Sequence, residues 1–288
     1  MKRWVFLLIA LVTIASGGGY LWVQSLPSTP KDRRIAGIIP ERPFVVVIPS
    51  YNNTLYCEQN LNQNYDNFRV IYIDDCSKDD TFTKVQKLVD ISPRKDKVTL
   101  IHNEQNQGAL KNLYLAIHSC KNEEVVVTID GDDLAAHPDV LKRLNRIYHD
   151  PDVWMTYGNY LDYPSYRQKP LICKPFPRSV VRNRSFRKCD YWAASHLRTF
   201  YAGLFKKIPI HDLLYEGKFL PMAWDLAFMI PMLEMAGPHH RFVKEVLYLY
   251  NRMNPISDHK INLALQSACG KHVRSLPTYP ALDTVPWE

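Results

Sequence analysis

Neither common glycine-rich phosphate loop is present in this chain of 288 residues. GxGxxG does not follow the first apolar, β-branched run, which argues against a dinucleotide fingerprint, and GxxxxGK[ST] is missing altogether. Any bound phosphate must be handled in another way, and a metal ion is the obvious one. The six cysteines, Cys57, Cys76, Cys120, Cys173, Cys189 and Cys269, include no CxxC pair and no histidine at zinc-ligand spacing, so free thiols are the simplest reading. The net charge is +7, with basic residues gathered at 31–34, 142–146 and 178–188, yet zinc-finger spacing, a basic-leucine pattern and an aromatic RNA-binding signature are all missing. No nucleic-acid partner is expected. The surplus suits an anionic membrane surface or an acidic substrate instead.

The amino terminus carries the one long uncharged run. Met1-Lys2-Arg3 precedes residues 4–23, and about 20 residues as a helix rising about 1.5 Å each span roughly 30 Å, the thickness of bilayer hydrocarbon. Residues 1–25 are therefore expected to form a transmembrane signal-anchor with Trp4 and Trp22 near its ends, although Ala15, Ser16 and Gly17 also offer signal peptidase a cleavage site. Lys2 and Arg3 on one flank compete with Lys31, Arg33 and Arg34 on the other, which leaves the orientation open. Residues 26–42, with Pro27, Pro30 and Pro40, read as a linker.

Beyond the linker, strands and helices alternate. Apolar runs at 44–48, 68–73, 98–102, 124–129 and 153–157 read as strands, and 54–61, 81–89, 108–118 and 138–148 as helices between them. The helix at 108–118 places Leu110, Leu113, Ala116 and Ile117 on one stripe. Such alternation predicts an α/β, mostly parallel sheet flanked by helices, whose ligands sit beyond the carboxyl ends of the strands.

The polar clusters fall at those ends. Pro49-Ser50-Tyr51 follows the first strand, Asp74-Asp75-Cys76-Ser77 the second, residues 103–108 the third and Asp130-Gly131-Asp132-Asp133 the fourth. Three carboxylates crowded at one strand end repel each other unless a cation sits among them, and Mg²⁺ or Mn²⁺ is held by one or two carboxylates with phosphate and water completing its shell. Any one of these loops alone reads equally as a turn or a helix cap. Four on one edge make a site.

In order and spacing, Val46-Val47-Ile48-Pro49-Ser50-Tyr51-Asn52, Ile73-Asp74-Asp75-Cys76-Ser77-Lys78-Asp79, Asn106-Gln107-Gly108-Ala109 with Asn112, and Ile129-Asp130-Gly131-Asp132-Asp133 resemble a family 2 glycosyltransferase. The resemblance implies the GT-A fold, Rossmann-like, over residues 43–260, with a nucleotide-sugar-binding half at 43–135, an acceptor half at 136–260 and a carboxyl-terminal tail at 261–288. It further implies a nucleotide-diphospho-sugar donor, a UDP-sugar being favoured, and a divalent cation, Mn²⁺ or Mg²⁺. Pro49 and Tyr51 would line the base, Asp74 or Asp75 would read the base or ribose edge, and Asn106, Gly108 and Asn112 would shape the donor loop. Asp130 and Asp132 match the DxD positions, with Asp130 near the sugar or ribose and Asp132 on the metal; Asp133 supplements or replaces Asp132, because the string permits two registers.

Asp225, in Ala223-Trp224-Asp225-Leu226, is the candidate base, though it could equally cap the helix that follows. Trp192, His196, Arg198, Trp224 and His259 are candidates for acceptor or phosphate contact, each with a structural alternative. QxxRW, which marks processive polysaccharide synthases in this family, is missing, so single additions are expected. The expected activity is inverting transfer of one sugar to the hydroxyl of a carbohydrate or glycolipid, in envelope or lipid-linked glycan synthesis. A membrane-tethered protein that binds nucleotide sugars without catalysis is the alternative. The catalytic domain of this single-pass membrane protein would be cytosolic in a bacterium and in the Golgi lumen in a eukaryote.

Overall fold

The computed structural model describes residues 39–54, 59–61, 63–167, 173–255 and 262–288. The anchor at 1–25, the linker up to residue 38, Cys57 and His259 lie outside the described residues. Among the described residues no helix is long and apolar enough to cross a membrane.

Strand β1 (Phe44–Ser50) is buried at every position and runs between β2 (Phe68–Asp74) and β4 (Val125–Thr128), parallel to both, while β3 (Val98–His102) extends the sheet beyond β2. Its unbroken apolar run follows from that central place, since both faces of a parallel sheet are covered. Beyond it come the two-residue β5 (Leu134–Ala135), β6 (Met155–Tyr163), β7 (Arg198–Tyr201), the separate hairpin of β8 (Leu214–Tyr215) and β9 (Lys218–Phe219), and β10 (His240–Asn251). The eight-stranded sheet has the order β3-β2-β1-β4-β7-β6-β10-β5. It is mostly parallel, but β7 runs antiparallel to β4 and β6, and β5 antiparallel to β10.

Helices α1 (Thr81–Ile91), α2 (Ala109–His118) and α3 (Val140–Tyr148) cross between the strands of the first half. Alternate side chains of a strand point to opposite faces, and β1 accordingly feeds two cores. Val45 and Val47 join α2's Leu110, Leu113, Ala116 and Ile117 in one, whereas Phe44, Val46 and Ile48 join Val85 and Val89 of α1 and Val140, Leu141 and Leu144 of α3 in the other. Of the expected helix at 54–61, Thr54 is described as part of a turn and Gln59–Leu61 as a single 3-10 turn.

The second half holds the short α4 (Arg178–Asn183) and α5 (Ala202–Lys206), then α6 (Trp224–Ala236), buried from Ala227 onward, and α7 (Leu263–Ser275). Residues 262–288, read from the sequence as a tail, contribute to both cores: Cys269 and Val273 are buried in the first, where Leu282 N donates to Met235 O at 2.9 Å, and Trp287 lies 4.1 Å ring to ring from Tyr201 of the second. A buried ion pair ties this segment down. Arg187 Nε lies 2.9 Å from Glu234 Oε1, Arg187 Nη2 donates to Oε2 at 3.0 Å, and Tyr279 N donates to Oε2 at 3.1 Å. Removing one partner strands a charge away from water, so Glu234→Ala is expected to lower unfolding stability by about 3–5 kcal/mol, read from the urea midpoint. A loss below about 1 kcal/mol would contradict that reading.

His240 opens β10 and packs against Tyr157, Phe176 and Phe186. Burial holds its imidazole below the ordinary 6.5. The folded state therefore resists protonation that the unfolded chain accepts, and the stability contributed by this site is lost as pH falls below about 6.5. Relative to His240→Phe, the wild type is expected to lose up to about 1.4 kcal/mol per pH unit in that range, measured by denaturant unfolding at stepped pH. A constant difference between the two proteins would refute it.

Candidate functional site

The carboxyl ends of β1, β2 and β4 meet in a tight junction. Asp75 N donates to Ser50 O at 2.8 Å and Gly131 N to Pro49 O at 3.0 Å, which ties the second and fourth loops to the first. A Cβ on Gly131 would stand 2.6 Å from Ser50 Cβ and 2.7 Å from its Cα, so only glycine fits. Gly131→Ala is accordingly expected to displace the acidic loop and to lower the melting temperature; an unchanged melting temperature would contradict this packing. Pro49 is buried within β1, and Tyr51, half-buried, begins the loop that leaves it. Asn52 N donates to Ser77 Oγ at 2.9 Å and Lys78 N to Asn52 Oδ1 at 2.7 Å, so loops one and two brace each other.

The paired aspartates do different jobs, and neither caps α1, whose N-cap is Asp80. Asp75 Oδ1 accepts from Gln107 N and Asn103 Nδ2, and Oδ2 from Gly108 N, each at 2.8 Å, while Asn106 Nδ2 donates to Asp75 O at 3.1 Å. The carboxylate thus organises the third loop. Gly108 sits at φ +82°, where a side chain would be strained, and heads α2. Asn112, buried on α2, accepts from Asn103 Nδ2 at 2.8 Å. Asp74 is wholly buried; its Oδ2 lies 2.8 Å from His102 Nδ1 and accepts from Ser77 N at 3.2 Å, and its Oδ1 has no hydrogen-bond partner among the described residues.

At the acidic loop the two registers left open by the sequence separate. Asp133 is turned inward, 1% exposed, with Oδ2 accepting from Tyr248 Oη at 2.7 Å and Oδ1 from Asn251 N at 2.6 Å. Burial, reinforced by Asp132 and Asp130, pushes its carboxyl well above the usual range. Asp133 staples the loop to β10, whereas Asp132 stays half-exposed with Oδ2 accepting from Asn254 Nδ2 at 2.7 Å. Tyr248 and Asn254 had no signal in the sequence, whereas Tyr250-Asn251-Arg252 resembles the closing loop that follows the last strand in such a family; the register of β10 brings Tyr248 and Asn251 here.

Asp130, Asp133 and His196 offer ligand atoms all within 4.8 Å of one another. His196 is stacked on Tyr248 with ring centroids 4.5 Å apart, and its Nδ1 lies 3.0 Å from Arg198 Nη2, from which it accepts. Burial, then the Arg198 and Arg252 charges, hold the imidazole well below its usual range, so it is neutral with that lone pair engaged. The carboxylate oxygens are consequently the stronger donors, and hard oxygen donors suit Mg²⁺ or Mn²⁺. Asp133 and His196 are committed to Tyr248, Asn251 and Arg198, so Asp130 and the half-exposed Asp132 are the carboxylates of this loop that suit such an ion.

Asp225 lies in the first turn of α6, behind Ala223 at φ 52°. Its Oδ2 accepts from Trp192 Nε1 at 2.9 Å and meets Arg198 Nη1 at 3.5 Å; Arg198 Nη2 lies 3.4 Å from Asp130 Oδ2. Burial opposes the Arg198 charge, but Asp130 and Asp225 outweigh it and raise the guanidinium's pKa. One side chain from antiparallel β7 thereby joins the acidic loop to the start of α6. Trp224, partly buried, has the Arg198 guanidinium 5.3 Å from its ring and stacks on Phe228 at 6.0 Å. The structure thus gathers Asp130, Trp192, His196, Arg198, Trp224 and Asp225 through direct contacts, with Asp132 and Asp133 following Asp130 in the same loop and Asp74, Asp75 and the third loop on the adjoining strand ends.

A mostly parallel α/β sheet carrying these acidic loops on its carboxyl edge is a GT-A-like fold. The model of Glycosyl transferase family 2 matches residues 45–209, more than half of the chain, and the protein belongs to that family. An "Uncharacterized glycosyltransferase" of Haemophilus influenzae is 32% identical over 119 residues, 40% of this chain and 46% of that one. "Glycosyltransferase GlyG" of Streptococcus pneumoniae is 28% identical over 123 residues, 41% of this chain and 39% of that one. The matched stretch therefore spans less than half the length of these relatives. Among solved structures, S. aureus TarS 1–349 in complex with UDP-GlcNAc is similar at a TM-score of 0.55 and 20% identity, covering 76% of this chain and 60% of that one. Glucosyl-3-phosphoglycerate synthase from Mycobacterium tuberculosis, in complex with Mn²⁺, UDP-glucose and phosphoglyceric acid, is similar at 0.54 and 14%, covering 85% and 90%.

Proposed function

We propose that this protein is an inverting, metal-dependent glycosyltransferase that moves one sugar from a UDP-sugar to the hydroxyl of a carbohydrate or glycolipid acceptor. The observation that carries this reading is the Asp130–Arg198–Asp225 bridge, which sets a candidate base beside the acidic loop. Donor complexes of structures with the same fold, one of them with Mn²⁺, support the choice of UDP and of metal.

Tyr51 stacks on the base with Pro49 beneath it, and Asp74 Oδ1 accepts from a ring N–H or a ribose hydroxyl. Asn106, Gly108 and Asn112 shape the wall that Asp75 holds in place. Asp132 and Asp130 would hold the cation, with Asp133 fixing their loop; when bound, the ion would stabilise negative charge on the departing diphosphate. Trp192 and Arg198 orient Asp225 through Oδ2, and its Oδ1 makes no hydrogen bond among the described residues. Oδ1 takes the acceptor proton as the acceptor oxygen bonds to the anomeric carbon; the bond to the diphosphate breaks on the opposite face and inverts the configuration. Trp192 and Trp224 border the acceptor, and Arg198, in contact with His196, supplies positive charge toward the diphosphate.

Residues 4–23 tether the enzyme to a membrane, where lipid-linked or envelope glycans are its acceptors, facing the cytosol in a bacterium or the Golgi lumen in a eukaryote. NMR of the product formed from an α-linked UDP-sugar tests the stereochemistry. A β-linked product is expected, and an α-linked product would rule out inversion.

A further inference from the structure

Of the basic run at 178–188, Arg187 is committed to Glu234, and the proposed reaction uses none of the others. Arg178, Arg182 and Arg184 line one cavity of about 500 Å³ beside the start of β10. No acidic side chain lines it; Phe176, Val181 and Ala281 supply apolar surface. The Arg178 and Arg182 guanidiniums, both on exposed residues, make no ion pair or hydrogen bond among the described residues, and Arg184 is held in place by donating from Nη1 to Tyr279 O at 3.0 Å. Like charges facing one concavity repel each other, and an anion between them turns that repulsion into attraction. The guanidinium fork matches phosphate oxygens in pairs.

We propose that this cavity is a second binding site, for a phosphate ester, with the phosphate on the arginines and the adjoining carbon skeleton against Phe176 and Val181. The site is separate from the donor site. Gly237, on the cavity wall, follows the last turn of α6, whereas Asp225 lies in the first, so the helix rise sets them about 18 Å apart. The cavity also adjoins the amino end of β10, the sheet edge opposite the acidic loop. Phosphate esters reach such a site either as phospholipid headgroups or as soluble metabolites.

The test is calorimetric titration of the full chain in neutral detergent, with chelator present, by glycerol 3-phosphate and by dihexanoyl phosphatidic acid. Wild type, Asp132→Asn, Arg182→Gln and the double variant Arg178→Gln/Arg182→Gln are compared, and a separate titration with UDP and Mn²⁺ checks that the arginine variants keep their donor affinity. The expected result is binding of at least one probe, equal in wild type and Asp132→Asn, weakened roughly tenfold or more in the double variant and by less in the single one. Tighter binding of the lipid assigns the site to a headgroup; equal binding of both probes assigns it to a soluble phosphate. Binding of neither probe, or binding lost in Asp132→Asn and kept in the arginine variants, would overturn the proposal.

Discussion

Asp225→Asn is expected to lower transfer about 10²–10⁴-fold, the usual worth of a positioned base, while leaving UDP affinity as in the wild type. The amide can still accept from Trp192 Nε1 through its oxygen, so the loop and the start of α6 keep their geometry. What it lacks is a carboxylate to receive the acceptor proton. Because the contacts of Asp225 are with Trp192 and Arg198, and none is with the first three loops, donor binding should be insensitive to the change. Steady-state kinetics together with UDP titration separates the two effects. A variant that turns over as fast as the wild type would remove Asp225 from the base role, and a variant that fails to bind UDP would move it to the donor side.

Replacing Arg198 should have the second largest effect, this time on folding as well as turnover. Its side chain is 2% exposed and faces Asp130 and Asp225, each 22% exposed. Arg198→Met leaves both carboxylates without their shared counter-charge. Breaking a buried pair costs about 3–5 kcal/mol, and the lower end applies here because water still reaches the two carboxylates. Arg198→Lys restores the charge but not the planar fork that reaches both partners, so it should recover most of the stability and little of the turnover. Chemical denaturation and kinetics on the same pair of variants check this. Wild-type stability in Arg198→Met, or full activity in Arg198→Lys, would contradict the bridging role.

The first half of the fold was legible because its signals are local. Strand β3 has the bounds that its apolar run predicts, and the stripe Leu110, Leu113, Ala116 and Ile117 is the buried face of α2. The acidic loop could also be found by position alone, since a strand followed by carboxylates needs no distant information. The division between Asp132 and Asp133 could not. It depends on Tyr248 and Asn251, more than a hundred residues away, and on the register of β10 beside β6. Likewise the antiparallel β7 is four residues long and bears Arg198 at its start, a segment too short to show a period. The last 27 residues looked like a tail because α7 buries only Cys269 and Val273 within itself; the contacts that fix the segment come from Glu234, Met235 and Tyr201.

The central claim is a metal-dependent nucleotide site at the acidic loop. Thermal unfolding of the full chain with UDP, GDP, CDP or dTDP, each with Mn²⁺ or with chelator, tests it most directly when repeated on Asp132→Asn. Stabilisation by UDP that requires Mn²⁺ and disappears in Asp132→Asn is the expected result. Stabilisation that survives chelator and the substitution alike, or none with any nucleotide, would contradict it.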